Sequence, residues 1–347
     1  MADISSYVTA TIARQLKGIQ DAVIERNELL KVLKKKGRIK FGVGGDSIKW
    51  RVYVTEPTVG GSTTDWAVRN AQTVQPFVTA EVRYAQYDWS FVESIFQLQR
   101  NSNGEDNVKL FDQLAEDMNA IKQSAISRLG KHAYNGTGTT YTGDQGTSIN
   151  GLADLVSSSA SGTYAGLSTS TYSVWDNQRR TISPSNVSAA EIDTDGNNVP
   201  QLLEAMRLLS LDCTGGANPN TDHVSDQLAT DKEEPDFLIT GRAIYINFDN
   251  CLFANMRYNS GASRDPQGAL LFNGVALKWD TFCPTSSLFM LNTAHLQVDC
   301  CGDQLIEAPA DLQGKELVDR NAKVWKMLAQ LQFYAKNRRY QGVLTVN

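Results

Sequence analysis

Apolar residues recur along this chain with two different periods, and the points where the period changes mark out its elements. From residue 4 to 36, steps of three and four put Ile12, Leu16, Ile19, Val23, Leu30 and Leu33 on one helical face, with Gly18 as the place where the helix can break. The stretch ends in Lys31, Lys34, Lys35, Lys36 and Arg38 around Gly37. That pattern reads first as cations complementing a helix C-terminus, with glycine as the stop, and second as a nucleic-acid or scaffold contact. From Ile39 the period is two. Ile39, Phe41 and Val43 lead into the turn Gly44-Gly45-Asp46, and Ile48, Trp50, Val52 and Val54 lead out of it. This predicts a hairpin with Lys40, Lys49, Arg51 and Tyr53 on its other face. Gly60-Gly61-Ser62-Thr63-Thr64 forms a tip, and Val78, Ala80, Val82 and Tyr84 then alternate again. At Ala85-Gln86 the phase slips, and Tyr87, Trp89 and Phe91 continue in a new register, as a β-bulge would allow. This excursion has too few apolar residues for a core of its own, so its apolar face needs another surface.

The helical period returns over residues 103–136, where Phe111, Leu114, Met118, Ile121, Ala125 and Leu129 form a single stripe. Asn103 suits the N-cap, Glu105 and Asp106 the first turn, and Gly136 the far end. Such a helix would be roughly 45 Å long, with Gly130 costing about 1 kcal/mol relative to Ala. Beyond it lies a Gly/Thr/Ser-rich loop over 137–150. A helix is expected over 199–211, a polar loop over 212–235, a buried strand over 236–240, a helix over 242–256, and two or three strands over 270–298. A closing segment runs over 324–346 and contains Arg338-Arg339. No internal repeat is present.

Composition narrows the function classes. The 347 residues suffice for one large or two medium domains, and no apolar run is long enough to span a bilayer. Lys17, Asp21, Glu25 and Arg26 interrupt the first helix where a secretory leader would be apolar. Five cysteines, Cys213, Cys251, Cys283, Cys300 and Cys301, with no CxxC spacing indicate reduced thiols in a cytosolic setting. A net charge of −5 argues against stoichiometric neutralisation of nucleic acid. His132, His223 and His295 have no metal-ligand spacing and read as structural or surface side chains. Neither a G-x-S-x-G elbow nor a phosphate-binding G-x-x-x-x-G-K-[ST] loop occurs. Asp193, Asp195, Asn197 and Glu204 match calcium-loop positions, but Asn198 stands where glycine is required and Pro200 follows. Asp195-Gly196 therefore reads as a turn and Glu204 as part of the next helix. Cys300-Cys301 reads as two buried thiols. No catalytic, cofactor-binding or metal-binding set is predicted.

The order of parts, namely a helical arm, an extended β-loop, one long helix, a glycine-rich turn, an α/β region and a closing β segment, resembles the tailed-bacteriophage major capsid proteins of the Hong Kong 97 type. Local runs are similar too: Gly146-Thr147-Ser148-Ile149-Asn150-Gly151-Leu152, Tyr164-Ala165-Gly166-Leu167 and Tyr172-Ser173-Val174-Trp175 after the long helix. Further on come Phe272-Asn273-Gly274-Val275, Asp280, Cys283-Pro284 and residues 288–291, then Asn337-Arg338-Arg339-Tyr340-Gln341-Gly342.

The resemblance implies an α+β, Hong Kong 97-like capsid fold. Residues 1–36 would be the N-terminal arm and 37–78 the extended β-loop. Residues 79–155 and 321–347 would be a peripheral domain with its spine helix over 103–136, and 156–320 an axial α/β domain. It implies a major coat protein, not an enzyme, that self-assembles into hexamers and pentamers of an icosahedral viral shell enclosing double-stranded DNA. Its setting would be the virion capsid, assembled in the host cytoplasm. Partners would be copies of itself, a separate scaffolding protein, a portal, decoration proteins, and packaged DNA without sequence-specific contact, with no membrane and no cofactor. The β-loop would lie on a neighbouring subunit, with intersubunit contacts from Lys49, Trp50, Arg51, Val52, Val54 and Trp66. Two other readings compete. An encapsulin-type nanocompartment would carry a cargo enzyme in place of DNA. A soluble hydrolase or binding protein would need a pocket with a perturbed acid–base pair.

Overall fold

The computed structural model describes residues 16, 18–54, 75–96, 107–139, 146–160, 162–182, 201–214, 233–255, 262–264, 270–309, 313, 315–317 and 320–346. They fall into two compact units, each assembled from separated parts of the chain. The first comprises residues 1–46, 84–151 and 297–333; the second comprises 47–83, 152–296 and 334–347.

In the first unit, residues 18–26 are helical and a second helix runs over Glu28–Lys35. The break falls at Asn27, not at Gly18. Asn27 takes an extended conformation, and its side-chain oxygen accepts the Leu30 amide at 3.0 Å, an N-cap that starts the helix anew. Ile19, Val23, Ile24, Leu29, Leu30 and Leu33 are buried, and Gln20 donates to the Gln304 side chain and the Ile306 carbonyl. Residues 18–36 therefore pack within this unit.

The expected hairpin across Gly44-Gly45 does not form. Ile39–Lys40 pairs in parallel with Val298 and Asp299, and the amides of Gly42 and Val43 reach the Gly302 and Cys300 carbonyls. Ser47–Tyr53 instead pairs antiparallel with Phe77–Arg83, Ile48 opposite Val82 and Val52 opposite Val78. Gly42 and Gly45, both at positive φ, lead the chain out of one sheet and into another. The phase slip near Ala85 has the same origin. Ala80 and Val82 point inward before it, Ala85, Tyr87 and Trp89 after it, and the chain changes partners between them.

Ala85–Ser94 pairs with the fourteen-residue strand Ala322–Ala335 over ten consecutive positions, from Leu331 opposite Ala85 to Ala322 opposite Ser94. With Ile39–Lys40, Leu296–Cys300 and Lys315–Glu316 they make a five-stranded sheet. Its inward face carries Tyr87, Trp89, Trp325, Met327 and Leu331. The long helix is Asn107–Asn135, and its side chains are described from Glu116 onward. Met118, Ala125 and Leu129 of the predicted stripe are buried, joined by Ile126, His132 and Ala133, while Ile121 is only half-buried. The Asn103 cap and the side chains of Phe111 and Leu114 lie outside the described residues.

The second unit holds a seven-stranded mixed sheet in the order Gln178–Ile182, Gly342–Val346, Ser287–Leu291, Phe237–Thr240, Val275–Trp279, Leu270–Phe272, Ala262–Arg264. The two central strands, Phe237–Thr240 and Ser287–Leu291, are buried at every position, which explains their unbroken apolar runs. Helices Gln201–Cys213 and Arg242–Asn255 close one core with the sheet through Leu202, Met206, Leu209, Ile244 and Phe248. Residues 270–298 supply four strands where two or three were expected, because Asn273 and Gly274, both at positive φ, make a tight turn inside the first run.

These boundaries differ from the expected domains. Residues 297–320 fall in the first unit because Leu296–Cys300 is a strand of its sheet. The closing segment divides: Ala322–Ala335 serves the first sheet, and Gly342–Val346 sits between Gln178–Ile182 and Ser287–Leu291 in the second.

Candidate assembly surfaces

The ribbon Ser47–Tyr53/Phe77–Arg83 presents two unlike faces. On one, Ile48, Val52, Val54, Ala80 and Val82 are buried within the chain. Trp50, half-buried on that face, donates its indole N–H to the Lys336 carbonyl at 3.2 Å and lies 5.0 Å from the Tyr334 ring and 6.4 Å from that of Trp175. The Glu81 amide adds a bond to the Ala165 carbonyl. Ala165 is at positive φ beside Gly166, in the turn of a small hairpin of Thr163–Tyr164 and Leu167–Ser168. The ribbon's described apolar face is therefore covered by its own chain, which corrects the expectation that it lacks a partner there. Val52 and Val54 are core residues, and Trp50 is a clasp.

The other face is polar. Lys49 and Arg51 are exposed, Lys49 pairs across the strands with Glu81 at 3.5 Å, and Arg51 stands opposite Thr79. At the distal end Tyr53 and Phe77 meet edge to face, and Phe77 is 52 % exposed. Trp66 lies outside the described residues. Other apolar side chains left on the surface are Phe41, Val92 and Phe96 in the first unit, and Leu208, Leu211, Ile246 and Trp279 in the second.

Behind these surfaces, buried polar groups are tied to packing partners. His132 accepts or donates through Nδ1 at 2.8 Å from the Tyr87 hydroxyl, which in turn accepts the Ile149 amide at 3.0 Å. His295 pairs with Glu233 and stacks on Tyr340 at 5.0 Å. His223 and the Asp193–Asn197 run lie outside the described residues, and Glu204 is exposed on its helix. Arg338 is almost fully buried, donating to the Leu155 carbonyl at 2.7 Å and the Asn177 side chain at 3.1 Å, with its guanidinium 5.0 Å over the Tyr164 ring. Burial pushes the nearby Asp154 carboxyl up to about 6, against the opposing pull of Arg338. Burial also pushes all five thiols up, Cys300 to about 12, so none is a ready thiolate near neutral pH. Cys301 is only half-buried, unlike the buried pair expected at 300–301. No group of three potential metal ligands occurs among the described residues.

The Trp50 face was legible from alternation, since residues 48, 50, 52 and 54 share one side of a strand. Its partners, Trp175, Tyr334 and Lys336, were not, because nothing local links them to residue 50. Arg338 was noted only as half of a basic pair; its flanking Leu, Tyr and Phe were the signal that it is buried.

No family model matches the sequence, and no curated protein matches it. Solved structures do. A chain of the cyanophage A-1(L) capsid asymmetric unit superposes with a TM-score of 0.57 at 14% identity, over 91% of this chain and 92% of that one. A chain of the capsid of Myoviridae phage XM1 gives 0.53 at 12% identity, over 91% and 92%. One from the capsid of the native GTA particle gives 0.50 at 9% identity, over 90% and 89%. At these identities the property shared is the fold. With an arm, a β-ribbon, a long helix on a five-stranded sheet and a second α/β unit, the chain has the Hong Kong 97-like capsid fold.

Proposed function

We propose that this chain is a major coat protein whose work is self-association, with hexamers and pentamers closing an icosahedral shell around double-stranded DNA. The observation that carries this reading is the superposition on capsid chains over nine-tenths of both partners. A second feature supports it: the ribbon's base is fixed by Trp50, while Lys49, Arg51 and Phe77 remain outward. Those side chains, together with Leu208, Leu211, Ile246 and Trp279, are the proposed intersubunit contacts, each modest and multiplied around a shell. The burial of Val52 and Val54 removes them from that set. Trp66 stays in it on its sequence position alone. Scaffolding, portal and decoration proteins, a virion location after assembly in the host cytoplasm, and the absence of catalysis belong to the same proposal.

The test is to express the full chain and view the product by negative-stain electron microscopy. Closed particles containing nuclease-protected DNA are expected; particles carrying a cargo enzyme would mean a nanocompartment, and a monomer with turnover would overturn the reading. Replacing residues 55–74 by a short Gly-Ser link should abolish closed particles yet leave a cooperative melt near that of the intact chain. Replacing 43–75 should also lower the melting temperature, because it removes Ile48, Trp50, Val52 and Val54 from their packing.

A further inference from the structure

The second unit leaves large apolar side chains outside at two separate places. On helix Gln201–Cys213 the exposed positions are Glu204, Leu208 and Leu211. Steps of four and three set them on one stripe, opposite the face that Leu202, Met206 and Leu209 bury in the core. Leu211 is 67 % exposed. On helix Arg242–Asn255, Arg242 and Ile246 are exposed one turn apart. Trp279 lies beside them. It ends the strand Val275–Trp279 in register with Thr240, two residues before Arg242. Val275 and Leu277, at alternate positions of that strand, pack against the helix-side core, so Trp279 belongs to the same face. It is 45 % exposed.

The two places complement one another. One carries a carboxylate ahead of two leucines, the other a guanidinium beside isoleucine and tryptophan. The remaining charges on these elements are already engaged. Asp212 pairs with Arg180 at 2.7 Å, and Arg207, Asp249 and Lys278 have partners within the chain. Trp and Arg dominate interface hot spots, and exposed leucines are suited to cover such a centre. The places also lie apart. Helix Gln201–Cys213 packs against Gln178–Ile182 and Gly342–Val346 at one edge of the sheet, and helix Arg242–Asn255 packs against Val275–Trp279 towards the other.

We infer that the Glu204–Leu208–Leu211 stripe of one copy docks on the Arg242–Ile246–Trp279 face of the next, with Glu204 paired to Arg242. This deepens the coat-protein reading and rests on it for the partner being a second copy. The contact is head-to-tail. Each added copy brings one face of each kind, so the series ends only where a ring closes.

The test is a charge exchange in the full chain, read by sedimentation and electron microscopy. Glu204→Arg and Arg242→Glu, made singly, each set like charges in contact and should weaken association about ten-fold or more. The double exchange should restore it. Trp279→Ala should weaken it about thirty-fold or more, as removal of a hot-spot anchor does. All four variants change exposed positions, so their melts should match that of the parent chain; should an exchange variant not fold, Leu211→Ala and Trp279→Ala carry the test, each weakening association. Parent particles with no rescue by the double exchange overturn this inference and leave the shell standing. Assembly unchanged in every variant overturns it in favour of a foreign partner for the two faces. Rings that obey the exchange but never close into particles support it and sink the shell reading alone. A parent chain that stays monomeric sinks both.

Discussion

The two units close by different means. In the first, the end of the long helix is locked by shape. The Gly136 amide bonds the His132 carbonyl, and the Gly136 carbonyl accepts the Gly151 amide at 2.7 Å. A Cβ on Gly136 would sit 2.0 Å from the Ile149 carbonyl oxygen, and one on Gly151 would sit 2.4 Å from the Gly136 nitrogen. In the second, a buried cation gathers the loops: Arg338 holds Leu155, Asn177 and Tyr164 around one guanidinium. A shape lock is indifferent to pH and intolerant of a single methyl group. A charge lock tolerates small shifts, but it depends on desolvating ions, and so on what is protonated nearby.

That contrast can be broken at its strongest point first. Arg338→Ala should cost about 4 kcal/mol, since it strands buried acceptors and opens a cavity, and Arg338→Lys should recover little because one ammonium cannot span the same acceptors. Chemical denaturation of the purified chain measures both. Gly136→Ala is expected to cost about 3 kcal/mol, with Gly151→Ala similar; the double variant should fall well short of the sum, because both changes strain one contact. Tyr87→Phe removes the hydroxyl between His132 and the Ile149 amide, at a cost of about 1 to 2 kcal/mol.

The smallest effect sharpens the comparison most. Asp154 titrates at about 6 in the fold against an ordinary 3.8, so between those values the native state holds more proton than the unfolded chain. Its contribution is therefore most favourable in acid and is lost as pH rises through 6. Asp154→Asn should raise the melting temperature at pH 7 and change it little at pH 4. A pH-independent gain, or a loss at pH 7, would mean that the carboxylate is not the strained member of the Arg338 cluster.

Most elements of both units were legible in the sequence, and most of their partners were not. Alternation at Ile48, Trp50, Val52 and Val54 identified a strand and its inward face correctly, yet paired it with residues 39–43 across a glycine turn. The partner chosen in the fold, Phe77–Arg83, wins because Ile48 and Val52 then sit opposite Val82 and Val78. The slip at Ala85 was visible, but a bulge and a change of sheet leave the same trace in a sequence. Asn27 outweighed Gly18 as the helix break because a side-chain cap stops and restarts a helix, whereas glycine only weakens one. At the candidate surfaces the exposed Lys49 and Arg51 were readable from period alone. The clasp on Trp50 was not, since it joins residues nearly 300 positions apart.

The closing segment has a consequence in time. Ala322–Ala335 is the partner of Ala85–Ser94, and Gly342–Val346 lies between two strands of the other sheet. On a ribosome making roughly 5 to 20 residues per second, the strand ending at Ser94 waits on the order of ten to fifty seconds before its partner exists. Until residue 335 has been made, both sheets have a gap where a neighbouring nascent chain could pair wrongly, and from there to residue 346 the second sheet still has one. Completion of both sheets thereby waits on residues made about 160 to 250 positions after some of the strands they join.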